Sequence, residues 1–305
     1  MRLDHFVRAK EREIRRLRQL ETVGLSPVPF AGERPSFVGA LTAAGNAPVR
    51  VVAEYKRASP SLGDIAPEVA PETAAGEYAA NGADCLSVLT EETFFRGDIR
   101  YLSRMTSPGL PLLRKDFIFH PLQVAATAAT PASALLLIAR LIPDVAGLRA
   151  LREQTEACGM DAVVEVFDEA DLRLARESGA QLIQVNARDL DTLRVDRVAC
   201  LRLAERCRVG GTGEIWIAAS GMERPEHLRQ AADCGYQAAL VGTALMRGGK
   251  PGRALAALLE REIAGGREPE RKVAQDFPPE SSPEILSESG GVLMAARARM
   301  PGNDV

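Results

Sequence analysis

Two hydrophobic patterns alternate along most of the chain. Short apolar runs, rich in β-branched residues, recur at 51–54, 85–89, 110–113, 134–138, 162–166, 182–185, 215–218 and 238–241. Runs of this length without polar alternation predict strands covered on both faces, as in a parallel sheet. Between them lie helix-length segments at 69–81, 122–130, 145–158, 169–178, 198–207 and 225–234, and a last one runs from Pro251 to about Ile263. Ahead of the first strand, residues 3–20 predict an amphipathic helix, with Leu3, Phe6, Ile14 and Leu17 near helical spacing among many charges. A Pro- and Gly-rich loop at 24–35 and a short helical piece at 37–41 follow.

Eight strand–helix units in about 210 residues match the count and size of a closed (β/α)8 TIM barrel. An open, doubly wound sheet would use the same alternation, but no Gly-x-Gly-x-x-Gly follows the first strand. The Gly210-Gly211-Thr212-Gly213 cluster precedes a strand, which assigns it to the opposite rim as a loop. The expected organisation is an N-terminal helical extension at 1–48, the barrel at 49–263 and a C-terminal tail at 264–305. The tail turns to Pro, Ser, Glu, Gly and Arg, and Pro278-Pro279 and Pro283 interrupt any element, so it is read as a mobile or loosely packed segment.

Composition changes this picture little. At 46% hydrophobic and 26% charged residues, the 305-residue chain is an ordinary globular protein. A net charge of −3 gives no electrostatic case for nucleic acid or an anionic membrane. No apolar run is long enough to span a bilayer and the N-terminus is charged, so the expectation is a cytoplasmic protein. The five cysteines show no Cys-x-x-Cys spacing, and His5, His120 and His227 are scattered, so neither a metal nor a cofactor is expected. The oligomeric state is open, and a monomer is compatible with the sequence.

Lysine is more informative. Only five of the 38 basic residues are lysine. A lysine can give up its proton when desolvated and so act as an acid or base, whereas arginine stays charged. Lys56 and Lys115 both follow apolar strands. In this fold the working residues lie at the C-terminal ends of strands. Those ends supply Glu54 and Lys56, then Leu89-Thr90-Glu91, then Arg114-Lys115-Asp116-Phe117, then Arg140, Glu165, Asn186 with Arg188, Ser220-Gly221 and Gly242-Thr243. Glu165 interrupts an apolar run and needs a cationic neighbour, which Lys56 or Lys115 can supply. Ser220-Gly221 and Gly242-Thr243 offer hydroxyls and unhindered N–H groups where barrels of this kind bind phosphate, and Leu245-Met246 fit a short extra helix.

The runs Ala-Glu-x-Lys-Arg-x-Ser-Pro-Ser, Ser-Val-Leu-Thr-Glu-x-x-Phe-Phe-x-Gly, Leu-Arg-Lys-Asp-Phe, Val-Glu-Val and Asn-x-Arg-x-Leu, in this order, resemble the indole-3-glycerol-phosphate synthase family of tryptophan biosynthesis. The resemblance covers about Leu3 to Leu259. It implies closure of a pyrrole ring on a carboxyphenylamino-deoxyribulose phosphate, with release of carbon dioxide and water and no metal or organic cofactor. By motif, Lys115 would be the general acid, Glu165 the base for dehydration, and Lys56, positioned by Glu54, an aid to proton transfer. Asn186 would hydrogen-bond the reacting region and Arg188 the anthranilate carboxylate. Ser59, Ser220, Gly221, Gly242 and Thr243 would hold the phosphate, while Pro60, Phe95, Phe117 and Leu190 would wall the aromatic ring.

Four positions depart from that pattern. Ala219 stands where the family has Glu before Ser-Gly, Ala187 replaces a second Asn, and Gln184 replaces a glycine. Ahead of the fourth strand the usual Gly-Ala-Asp is Pro131-Ala132-Ser133. By parity with Ile215 and Ile217, Ala219 is expected to face the barrel interior, as Gln184 is by parity with Asn186. Two other readings therefore stand beside the synthase: a diverged paralogue acting on a related arylamino sugar phosphate, and a non-catalytic barrel that binds a phosphorylated ligand or a partner protein.

Overall fold

The computed structural model describes residues 3–44, 47–142, 144–189, 192, 194–207 and 213–261. Eight strands form where the apolar runs lie: β1 Arg50–Tyr55, β2 Cys85–Leu89, β3 Leu112–Ile118, β4 Ala134–Ile138, β5 Asp161–Val166, β6 Leu182–Asn186, β7 Ile215–Ala219 and β8 Ala238–Val241. Each pairs in parallel with its neighbours in sequence, and β8 pairs with β1 to close the ring. The helices are α1 Leu3–Thr22, α2 Phe37–Thr42, α3 Pro71–Ala80, α4 Glu92–Phe95, α5 Tyr101–Arg104, α6 Pro121–Ala128, α7 Val145–Ala157, α8 Glu169–Ser178, α9 Arg197–Arg206, α10 Pro225–Asp233, α11 Thr243–Met246 and α12 Pro251–Leu258. Residues 264–305, the expected tail, lie outside the described residues, as do 210–212 of the glycine cluster.

Successive side chains on a strand point to opposite faces, and this period of two divides the core. Val52, Leu113, Val163, Leu182, Ile217 and Leu240 share one buried cluster inside the barrel. Val51, Leu86, Leu112, Val164, Ile183 and Trp216 belong to the layer between strands and helices. At the N-terminal end of the strands, α2 places Phe37 and Leu41 in the interior cluster, and Val38 N–H donates to the Asp161 carboxylate at the start of β5. That end is therefore closed by side chains. The polar residues of the interior gather towards the other end.

One strand differs from its expected span. The apolar pattern stops at Leu113, yet β3 continues to Ile118 through Arg114, Lys115 and Asp116. The continuation is stabilised by a buried ionic cluster that reaches α1. Lys10 Nζ lies 2.9 Å from Asp116, Arg114 donates to Asp116 at 2.9 Å and to Glu13 at 2.8 Å, and Thr90 Oγ1 donates to Asp116 at 2.5 Å. Lys10 also pairs with Glu13. Burial alone would raise the Asp116 pKa, but the Lys10 and Arg114 charges hold its carboxyl well below the ordinary range. The cluster fixes α1 against β3, and with it Phe6, one turn before Lys10.

Removing one member of a buried ion cluster leaves the others unpaired, a loss of about 3–5 kcal/mol. Asp116→Asn should destabilise the protein by about that much at pH 7 in chemical denaturation. The folded-state pKa of Asp116 lies below its unfolded value, so its contribution is complete above the ordinary carboxylate range and fades as pH falls through it. The gap between wild type and variant should therefore narrow in acid. A gap that is constant down to pH 3 would contradict this assignment.

Candidate active site

At the C-terminal rim the strand ends, the first loop and α1 enclose a cleft of about 1020 Å³, counted with its open mouth. Period-two geometry puts Glu54 inside the barrel at the end of β1, and Lys56 follows it there. Arg57 turns away to Tyr101 Oη at 2.8 Å and the Pro67 carbonyl at 2.7 Å. Glu54 is 2% exposed, and Lys56 Nζ donates to its Oε1 at 3.1 Å. The carboxylate is seated against Gly242, where a Cβ would come within 2.2 Å of Glu54 Oε1. A side chain at 242 would therefore displace the carboxylate from its present position, whatever else the Gly242 N–H does.

Lys115 on β3 and Glu165 on β5 meet across the barrel, with Nζ 3.6 Å from Oε2. Glu165 is 1% exposed, and this is the cationic neighbour its burial requires. The same oxygen accepts a hydrogen bond from the Gln184 amide on β6, next to Glu165 in register.

Asn186 ends β6, where its Oδ1 accepts from Ser220 Oγ at 2.8 Å and from the Arg188 N–H at 2.9 Å. With the oxygen engaged twice, the Asn186 amide nitrogen is left for a ligand. Ser220 has φ of +70° and Gly221 +77°. A non-glycine residue in that region is strained, and the bond to Asn186 holds it there. Burial draws the Arg188 guanidinium below its ordinary pKa, Glu54 and Glu223 act in the opposite sense, and arginine remains charged at neutral pH.

The aromatic wall includes a residue that the strand ends do not supply. Phe117 on β3 stacks on Phe6 of α1, ring centroids 4.1 Å apart, with Phe95 at 6.3 Å from Phe117. Glu91, read from sequence as part of the rim, instead caps α4: its carboxylate accepts from the N–H groups of Thr93, Phe94 and Phe95. It aims Phe95 and is not itself in the cleft lining. Gly97 closes this motif, since a Cβ there would meet the Leu89 carbonyl oxygen at 2.5 Å.

Ser59, Pro60, Ser220, Gly221, Gly242 and Thr243 all border the cleft. The short extra helix is present as α11, beginning directly after β8. Ala219 is 2% exposed, joins the interior cluster and lines the cleft, as parity requires. Arg140 does not reach the site and pairs with Asp168 and Asp171. Leu190 lies outside the described residues. Among the described residues no group of His, Cys, Asp or Glu could hold a metal ion, and no helix is long and apolar enough to cross a membrane. Phe6, Met222 and Glu223 line the cleft without having been marked by sequence. For Phe6 the available signal was its place on the buried stripe of α1.

Fold and site together define a (β/α)8 barrel whose cleft, at the carboxyl ends of its strands, holds two lysine–glutamate pairs. A family profile described as indole-3-glycerol phosphate synthase matches residues 3–258. Indole-3-glycerol phosphate synthase from Magnetococcus marinus is 40% identical over 261 residues, covering 84% of this chain and 96% of the relative. That from Desulfotalea psychrophila is 38% identical over 262 residues, covering 84% and 97%. Among solved structures, 3-hexulose-6-phosphate synthase superposes with a TM-score of 0.56 over 70% of this chain and 99% of that chain, at 14% identity, a likeness of fold alone. The chain belongs to the indole-3-glycerol phosphate synthase family.

The Gly242 contact can be tested directly. Its φ is negative, −121°, so Gly242→Ala meets no left-handed backbone and should fold. The added methyl cannot coexist with the present Glu54 carboxylate position. In a crystal structure of the variant the Lys56–Glu54 separation should open beyond about 4 Å, the limit for an ion pair. A retained contact would show that the carboxylate yields without releasing Lys56.

Proposed function

We propose that the cleft performs the ring closure of 1-(2-carboxyphenylamino)-1-deoxyribulose 5-phosphate to indole-3-glycerol phosphate. The ring carbon bearing the carboxylate attacks the ketone carbon, and Lys115 delivers a proton to the ketone oxygen as the carbon–carbon bond forms. Carbon dioxide departs and its bonding electrons restore the aromatic ring. The new hydroxyl then takes a proton from Lys56 and leaves as water, while Glu165 accepts the proton released in forming the pyrrole double bond. Lys56, positioned by Glu54, assists proton transfer, Asn186 offers its amide N–H to the reacting region, and Arg188 pairs with the substrate carboxylate before it is lost. Phe95, Phe117 and Pro60 pack the aromatic ring, and Phe6 supports Phe117. Ser59, Ser220, Gly221, Gly242 and Thr243 hold the phosphate.

The observation that carries this reading is the Lys115–Glu165 pair. Its members come from strands two apart and meet at 3.6 Å inside the cleft. A positioned acid and base contribute typically ~10²–10⁴-fold each. With the family substrate and product fluorescence as the signal, Lys115→Met and Glu165→Gln should each lower kcat by about that range. Variants that fold and turn over at the wild-type rate would overturn the assignment.

Ala219 sets a second test. A Glu at this position would face the cleft that holds Lys56, Lys115 and Arg188. A charge that stabilises the transition state there is worth roughly tens- to hundredfold. Ala219→Glu should therefore raise kcat for the family substrate. A fall in an otherwise folded variant would mean that the apolar wall serves this protein's own substrate better.

A further inference from the structure

Gln184 stands where the family has a glycine, and nothing in the proposed mechanism uses it. It is wholly buried, 0% exposed, inside the barrel on β6. Its neighbour in register across the β5–β6 pair is Glu165. The Gln184 amide nitrogen donates to Glu165 Oε2, the oxygen that also faces Lys115 at 3.6 Å. The amide oxygen, Gln184 Oε1, is buried with no hydrogen-bond partner among the described residues.

That arrangement is poor for stability. A buried acceptor left unpaired is unfavourable, and a glycine or an apolar side chain would avoid it. The orientation of the amide is fixed by charge, because turning it over would set its oxygen against the carboxylate. The group thus gives up its own acceptor to keep a donor on Glu165. A hydrogen-bond donor on β6 and a cation on β3 converge on one carboxylate oxygen, which restricts the rotation of the carboxyl group.

We infer that Gln184 is a positioning residue for Glu165: it holds Oε2 together with Lys115 and so presents Oε1 to the substrate as the proton acceptor. This rests on the functional reading above and adds to it a part that a glycine cannot play. It also separates two duties within the cleft. Lys115 has to move its proton during the reaction, whereas the amide of Gln184 neither gains nor loses one, so the hold on Glu165 persists while Lys115 changes state.

Steady-state kinetics on the family substrate test this with Gln184→Met, which keeps the length and removes the donor, and with Gln184→Leu, which fills the space without a donor. Each should lower kcat roughly 10- to 100-fold, as expected for a misplaced reacting group, with KM changed by less than about threefold. In a Glu165→Gln background the same substitutions should have little further effect, because the group they position is already gone. A residue that only fills space would give a full effect of Gln184→Met in both backgrounds, or none in either. Either of those results in folded protein overturns the inference. If Gln184→Met fails to fold, the Gln184→Leu arm and its cycle decide alone. Wild-type protein without turnover would defeat the functional reading itself. Active wild type, a crippled Glu165→Gln and an unaffected Gln184→Met would defeat only the role given to Gln184.

Discussion

The site depends on how β3 distributes the four side chains Arg114, Lys115, Asp116 and Phe117. Arg114 and Asp116 belong to the buried ionic cluster with Lys10, Glu13 and Thr90, while Lys115 and Phe117 face the cleft. A strand offers such alternation for nothing more than its period of two. Its consequence is that anchoring and chemistry cannot be separated. The Asp116 carboxylate holds α1, α1 carries Phe6, and Phe6 stacks on the Phe117 that follows Asp116 in the chain. Burying charge to this degree adds little net stability compared with an apolar core. It fixes one arrangement, because any slip of α1 along β3 would leave several charges unpaired.

A second constraint comes from closure of the barrel. The interior is filled by apolar side chains through most of its depth, with α2 sealing the lower end. Ionisable groups then gather at the ends of the strands, near water, and at the cleft end they meet opposite charges. Glu54 meets Lys56 and Glu165 meets Lys115, each pair within the cleft. The same requirement explains why Gly242 has no side chain: space near Glu54 is taken by the carboxylate itself. A rim whose residues converge on one cleft is therefore also the solution to a burial problem.

The strands and the cleft residues were legible because both follow from parity and from the fold's known working end. Glu54, Lys56, Lys115, Glu165, Asn186 and Ala219 all face the interior where a count of two along each strand places them. What was not legible depended on partners far away in sequence. The apolar pattern of β3 ends at Leu113 because Arg114 and Asp116 look like loop residues until Lys10 and Glu13, a hundred residues earlier, neutralise them. Lys10 did carry a signal: it falls between Phe6 and Ile14 on the buried stripe of α1, and a charge on such a stripe requires a buried counter-charge. Glu91 misled for the converse reason. A carboxylate after a strand has the same letters whether it faces a ligand or caps the next helix, and only the three N–H groups it accepts decide the matter.

The departures from the family pattern are not scattered over the site. Gln184 and Ala187 belong to β6 and the residue after it, and Ala219 ends β7 beside them: Asn186 is opposite Ala219 in register, and Ala187 N–H donates to the Ala219 carbonyl at 2.9 Å. The β1 and β3 side, with Glu54, Lys56 and Lys115, keeps every charged residue of the pattern. One wall has therefore exchanged a carboxylate and an asparagine for two alanines while gaining a buried amide. The exchange removes a charge that faces the lysines and adds a neutral donor aimed at the remaining carboxylate. An amide constrains that carboxylate without adding to the negative charge of the cleft, so fewer charges have to be balanced when substrate, itself an anion at both ends, displaces water. Arg188 remains on the β6–β7 side of the lining, so in the proposed reading the substrate carboxylate meets that guanidinium while the phosphate meets the hydroxyls and N–H groups after β7 and β8.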